Sequence, residues 1–340
     1  MLYSIPRTRM LTAAQNSLSP DSNPRSPFFD CLIFLIVMTI CSIPQTLILS
    51  LVVVILMFTD PAYYELLLQS FESGEVNTDS AMKYVNEFTE SHTTEILLIT
   101  LASSGLLILG AIIYCRAIEK RPLFTLGFNK RGVLPEYLLG MLIGATMISI
   151  PVLICHVTGC TTLTFNQNIS PSSLCLFFLA FVLQAMGEEA VFRGYLLTTL
   201  CRRNKEWVAI IISSLMFAIL HISNANFSFI AFVNITLFGI FAAVFMLKRG
   251  SIWAVAAIHT VWNFMQGNIF GFNVSGVQNL PSIFNAADQG FGSILSGGAF
   301  GIEGGLGATI VLLSALLLTL MMPPKKSELD TENIHASTNQ

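Results

Sequence analysis

Eight stretches of this chain, at about 30–58, 94–115, 136–157, 173–200, 207–222, 226–247, 251–270 and 305–322, are apolar over the length of a bilayer crossing or close to it. A helix that spans the hydrocarbon needs roughly 20 predominantly apolar residues. Lipid offers the backbone no hydrogen-bond partner, so a segment of this kind satisfies its own N–H and C=O groups as a helix. The fifth stretch is short and the seventh contains His259 and Asn263, so these two rest partly on the pattern of their neighbours. Only 11% of residues are charged and 54% are hydrophobic, with a mean hydropathy of +0.70, against about 25% charged in soluble domains. The expectation is an all-α, polytopic transmembrane helix bundle at 29–322, with its polar motifs in 173–270, between polar tails at 1–28 and 323–340. A net charge of -3 argues against nucleic acid as a partner; nothing in the pattern sets an oligomeric state.

The basic residues test that count independently, because cytoplasmic loops carry the excess Lys and Arg. Successive segments outside the eight stretches hold 3, 1, 5, 0, 3, 0, 2, 0 and 2 of them. Adding or losing one span would break this alternation, which predicts both termini in the cytoplasm. Arg193 is the one basic residue left over, and it sits inside the fourth stretch.

The remaining features carry less. The Ser-, Pro- and Arg-containing N-terminal segment has no apolar core followed by a small-residue cleavage site and reads as a polar tail. The seven cysteines lie mostly in apolar runs without C-x-x-C spacing, as small apolar packing residues do. The acidic 59–93 loop, with Tyr63 and Tyr64, is expected to hold a short amphipathic helix. Gly301 and Gly305 stand at G-x-x-x-G spacing in the Gly-rich 291–307 stretch, where helix packing or flexibility is expected rather than a dimer face. There is no repeat, and no pair of Gly/Pro-broken helices of the kind transporters use.

Ionisable side chains at membrane depth are few, and each marks a site by default. The fourth stretch has Glu188, Glu189 and Arg193 in "MGEEAVFRGYL", the fifth has His221, and the seventh has His259 and Asn263. Glu189 and Arg193, four apart, share a helix face and can neutralise each other. Glu188 points about 100° away from Glu189 and needs another partner. Counting about 1.5 Å per residue from the basic ends of their helices puts Glu188, His221 and His259 at a similar level near mid-membrane. Taken singly, these residues read as structural: an intrahelical pair, an interhelical histidine, a packing asparagine. Their convergence on one depth is poorly explained that way. His156, beside Cys155 and Cys160, reads as interfacial, and His92 and His335 lie in a loop and a tail.

A carboxylate and two imidazoles can polarise a water, either directly as bases or as three ligands of a divalent, zinc-like metal with an open fourth position. Asn263 and His259 could hold the oxyanion that forms when water attacks a peptide carbonyl. That chemistry is amide hydrolysis without a Ser or Cys nucleophile.

These residues resemble a known family. "EEAVFR" is similar to the E-E-x-x-x-R motif of the CPBP intramembrane proteases, "FAILH" (Phe217, His221) to F-x-x-x-H, and "HTVWN" (His259, Asn263) to H-x-x-x-N. All three occur in the family's order on separate helices, and "FTLGF" at 124–128 resembles a segment common before a helix in such proteins. The family includes type II CAAX-prenyl endopeptidases and bacterial Abi proteins linked to bacteriocin processing or immunity. The resemblance implies a multi-pass endopeptidase of a bacterial cytoplasmic membrane, acting on a membrane-associated peptide or protein, prenylated or bacteriocin-like. Glu188 and His221 would activate the water, His259 and Asn263 would hold the oxyanion, and Glu189 with Arg193 would orient the helix. A metal on Glu188, His221 and His259 and a glutamate-activated water both remain open. Two other readings are a non-catalytic immunity or scaffold protein that binds a bacteriocin or sensor partner, and a proton-relaying transporter.

Overall fold

The computed structural model describes residues 8–18, 25–73, 77–130, 132–290 and 293–325. The rest of the two tails, with Arg7, Lys326 and His335, and the loop residue Arg131 lie outside the described residues. Each of the eight apolar stretches is helical. They correspond to α2 (Pro27–Thr59), α5 and α6 (Thr93–Ser103 and Leu106–Ile113, the latter extended by a π turn), α7 (Val133–Val157), α8 (Pro171–Glu189), α10 (Glu206–Ile219), α11 (Phe229–Arg249), α12 (Trp253–Phe264) and α14 (Leu306–Met321). Five continuous helical segments are long and apolar enough to cross a membrane: Pro27–Thr59, Thr93–Ile118, Val133–Val157, Pro171–Cys201 and Phe229–Arg249. Glu206–Ile219 and Leu306–Met321 are shorter apolar helices.

Local chemistry sets the helix ends. Pro171 occupies the first turn of α8, where a missing N–H costs nothing, and Ser170 caps the turn through the Ser173 N–H. Ser228 caps α11 in the same way, and α11 stops at Gly250, whose φ of 62° suits glycine. The acidic loop contains two helices rather than one, α3 (Pro61–Ser73) and α4 (Thr78–Ser91). They are tied by the Tyr84 hydroxyl donating to Asp60 at 3.1 Å and by ring contacts running from Tyr63 through Tyr84 and Phe88 to His92.

The bundle is not purely helical. β1 (Thr161–Phe165) pairs antiparallel with β2 (Phe284–Asp288), from Thr161 opposite Asp288 to Phe165 opposite Phe284. The Thr-rich, β-branched "TTLTF" favours this pairing, which joins the loop after α7 to the loop after α12 at what we term the hairpin end.

At the opposite, basic end, the loop cations are locked into the fold. Glu119 accepts from Arg121 at 2.7 Å and from Arg202 at 2.8 Å, and Arg121 also donates to Thr198 and Thr199. Arg249 and Lys325 both pair with Glu136. Lys248 donates to the carbonyls of Leu320 and Met322 at 2.8 Å, satisfying the C-terminus of α14. Within the N-terminal tail, α1 (Arg9–Asn16) buries Met10, Leu11 and Ala14. It is pinned by Arg202 donating to Ala14 O and Gln15 donating to Cys201 O. The short helices α9 (Thr198–Cys201) and α13 (Ser293–Ser296) complete the set.

α12, which carries His259 and Asn263, lies against α7 at backbone contact. A Cβ on Gly140 would collide with the Ala254 carbonyl, and one on Gly144 would sit 2.7 Å from the Ile258 carbonyl. This is the close approach that small-xxx-small spacing permits in membranes. Gly144→Leu should therefore push α12 away from α7 and lower stability by about 1–3 kcal/mol. Thermal unfolding of the detergent-solubilised variant should show a lower Tm; an unchanged Tm would rule out this contact as what places α12.

Candidate functional site

α8 does not end at Glu189. It continues through a π-helical turn, Ala190–Leu197, into α9, so Pro171–Cys201 is one continuous helical segment. Such a turn inside an α-helix often accompanies a functional site, and here it begins one residue after the paired glutamates. Gly187, just before them, lets the Ser104 carbonyl of the neighbouring helix lie where a Cβ would be. "FTLGF" braces the segment from the basic end: Leu126 packs on Gly194, and the Gly127 carbonyl accepts from Ile252 N–H just ahead of α12.

The two glutamates diverge as their spacing requires. The Glu189 side chain is fully buried, and its Oε1 accepts from Arg193 at 3.1 Å. The same oxygen lies 2.9 Å from His259 Nδ1, so Glu189 and Arg193 are not the closed pair that their spacing suggests. The Arg193 guanidinium also stacks over the Phe217 ring at 4.3 Å, a favourable contact for a desolvated cation. This gives the F-x-x-x-H phenylalanine a physical role.

Glu188 keeps 18% of its side chain exposed. Its Oε1 accepts from Gln184 Nε2 at 2.5 Å, while its Oε2 is buried without a hydrogen-bond partner, 3.9 Å from His259 Nε2. Gln184 in turn accepts from Asn263 Nδ2 at 3.2 Å. A relay of amides therefore links Asn263 to Glu188 across α12 and α8.

His221 lies just past the end of α10, in the turn that follows Ile219, rather than within a helix as the 207–222 span had it. Its Nδ1 lies 2.7 Å from the Phe217 carbonyl and must carry the proton to bond there. His259 Nδ1 likewise donates to Glu189. With Nδ1 as the donor, the neutral form of either ring has Nε2 as its free acceptor, the form in which an imidazole takes a proton or binds a metal.

Glu188, His221, His259 and Asn263 line one cavity of about 420 Å³. Glu189 and Arg193 do not line it and act from behind. His221 contacts neither glutamate at ion-pair distance among the described residues; it joins the others only as a wall of this cavity. Glu188 Oε2 and the two Nε2 atoms suit a divalent metal in donor chemistry. Among the described residues, however, no three His, Cys, Asp or Glu groups stand close enough together to hold one. His156 is exposed near the end of α7, away from this group, and all seven cysteines are free.

Gln184 and Glu303 are among the cavity residues not singled out from the sequence. Gln184 was readable as a polar side chain four residues before Glu188 in an apolar run. Glu303 sits in a Gly-rich loop between helices, where no periodicity marks it.

Residues 170–265 match the family of Rce1-like type II CAAX prenyl endopeptidases. No curated protein and no solved structure matches the chain significantly. The matched segment is under a third of the chain, runs from the start of α8 to the end of α12, and holds all three motifs. It supports a CPBP family intramembrane protease.

Arg193 and Glu189 should be energetically coupled. Arg193→Met leaves a buried carboxylate with one partner fewer and should destabilise the protein by roughly 3–5 kcal/mol. Adding Glu189→Gln should restore part of that loss. Thermal unfolding of both singles and the double checks this; additive losses would mean the two side chains act independently.

Proposed function

We propose that the chain is an intramembrane endopeptidase that hydrolyses peptide bonds of membrane-associated substrates, CAAX-like or resembling bacteriocins and signal peptides. The observation that carries the reading is Glu188 Oε2, a buried carboxylate oxygen without a hydrogen-bond partner, beside the His259 Nε2 acceptor in a cavity that His221 also lines. A carboxylate is costly to desolvate; one left half-satisfied in a cavity is suited to taking a proton.

In this reading a water sits between Glu188 and His221 Nε2. Glu188 takes a proton from it, and the hydroxide adds to the substrate carbonyl. General base catalysis of this kind contributes about 10²–10⁴-fold. Asn263 Nδ2 has a second N–H beyond the one given to Gln184, and this donates to the oxyanion. His259 Nε2 is an acceptor while Nδ1–H is on Glu189, so it becomes an oxyanion donor only after gaining a proton. The proton that Glu188 took passes to His259 Nε2 and from there to the departing amine nitrogen as the C–N bond breaks. Glu189, with Arg193 behind it, balances the imidazolium formed in that step. A divalent, zinc-like metal, which would lower the pKa of the attacking water, would need Glu188, His221 and His259 to draw closer together than they stand, so no step is routed through it.

The same proposal takes all eight apolar stretches as spans. Helices of fewer than about 20 residues cross where the bilayer thins or polar ends snorkel. The alternating Lys and Arg then put the basic end and both termini in the cytoplasm, in a bacterial plasma membrane.

Purified protein in detergent should cleave susceptible membrane-associated peptides. Glu188→Gln and His221→Ala should each lower kcat by at least about a hundredfold with little change in Tm, and Asn263→Ala by about 10²–10³. Full turnover by Glu188→Gln would sink the mechanism. Peptide binding without cleavage by the wild type would favour a scaffold role.

A further inference from the structure

Glu303 belongs to the cavity but to none of the three motifs. It sits on the turn Ile302–Gly304 ahead of α14, and two neighbours hold that turn in place. Asn234 on α11 donates to the carbonyls of Glu303 and Gly305 at 2.8 and 2.9 Å and accepts from Thr309. Ser275 donates both its N–H and its hydroxyl to Glu303 Oε1. Glu303 Oε2 takes no hydrogen bond among the described residues. The half-buried side chain lines the cavity at the hairpin end, within electrostatic range of His221 and His259.

The cavity wall thus carries two carboxylates, Glu188 and Glu303, and no Lys or Arg among the described residues. Arg193, behind the cavity wall at Phe217, is 2% exposed and committed to Glu189 and Phe217. Bringing two carboxylates out of water with no fixed cation beside them, only the imidazoles of His221 and His259, is unfavourable. A positive group arriving with a ligand relieves this, and an anionic one aggravates it. Glu188 has its own task in the reaction, which leaves Glu303 as the counter-charge for the ligand.

Building on the endopeptidase reading, we propose that Glu303 is a specificity-determining residue whose carboxylate receives a cationic side chain, Lys or Arg, of the substrate peptide. Apolar residues including Phe181, Ile235 and Trp262 line the rest of the cavity and take the neighbouring apolar side chains. The preferred substrate is an apolar peptide with one basic residue near the scissile bond.

The test uses membrane-soluble peptides identical except for Lys, Gln or Glu, moved one position at a time through the cleaved region. Cleavage is measured with wild type, Glu303→Gln and Glu303→Lys in detergent, and binding with Glu188→Gln alone and combined with Glu303→Gln. At one position the Lys peptide should have a KM and Kd about ten- to a hundredfold below the Gln peptide, with the Glu peptide weakest. Glu303→Gln retains an oxygen for Ser275, so it should fold normally, as Tm will show, and should abolish the Lys preference. Glu303→Lys should turn the preference towards Glu. Equal use of all three peptides, or a Lys preference unchanged in Glu303→Gln, overturns the proposal. If no peptide is cleaved, the hydrolytic reading fails but binding still decides: a Lys preference in Kd that Glu303→Gln removes upholds the role of Glu303, and equal Kd values reject it.

Discussion

A single carboxylate oxygen, Glu189 Oε1, holds Arg193 at 3.1 Å and His259 at 2.9 Å, and through them joins α8, α10 and α12. Arg193 reaches α10 by stacking on Phe217, and His259 packs edge-on against the Phe238 ring of α11 at 5.1 Å. Each member would be costly to bury alone. Together they form a desolvated cation, anion and imidazole enclosed by aromatic rings, which removes most freedom from the His259 ring. The orientation of a cavity residue is thus set by a group that never enters the cavity.

The basic end shows the same economy at larger scale. Loop cations that the positive-inside rule counts as orientation signals also act as internal fasteners. Arg121 and Arg202 share Glu119, Arg249 and Lys325 share Glu136, and Lys248 closes the end of α14. Lys325 couples the chain just after α14 to the start of α7, and Arg202 couples α1 to the segment that bears the glutamates. Helices in lipid gain little from hydrophobic burial against one another, so directional ties at their ends carry more of the work of fixing the arrangement.

Helix positions were legible in the sequence because their signal is additive. About 20 apolar residues speak for one span, so an error of two or three residues at either end changes little. The motif residues were legible because each is polar in an apolar setting. What escaped depends on loops and on exact backbone approach. The β1–β2 pairing links segments more than a hundred residues apart, and no local pattern predicts it. Gly140 and Gly144 were readable in principle as G-x-x-x-G within a span, a clearer instance than Gly301 and Gly305. His221 was placed in a helix because its apolar run continues to 222, yet α10 ends at Ile219 and the histidine sits in the turn. Depth counted at a fixed rise per residue could not see that.

Glu188 and Glu189 show how adjacent identical residues acquire opposite duties. The helix turns about 100° between them, enough to send one into the packed interior and the other towards the cavity. Glu189 meets a cation and an imidazole at one oxygen and is held in place by them. Glu188 meets an amide on one oxygen and has no hydrogen-bond partner at the other. Both glutamates leave Oε2 unbonded, but only Glu188 lines the cavity, and a group that exchanges protons there needs both a free oxygen and a fixed position. The relay from Asn263 through Gln184 to Glu188 reconciles the two requirements, because it fixes the position of Glu188 through Oε1 while leaving Oε2 unbonded. Position and reactivity are thereby assigned to different atoms of one side chain.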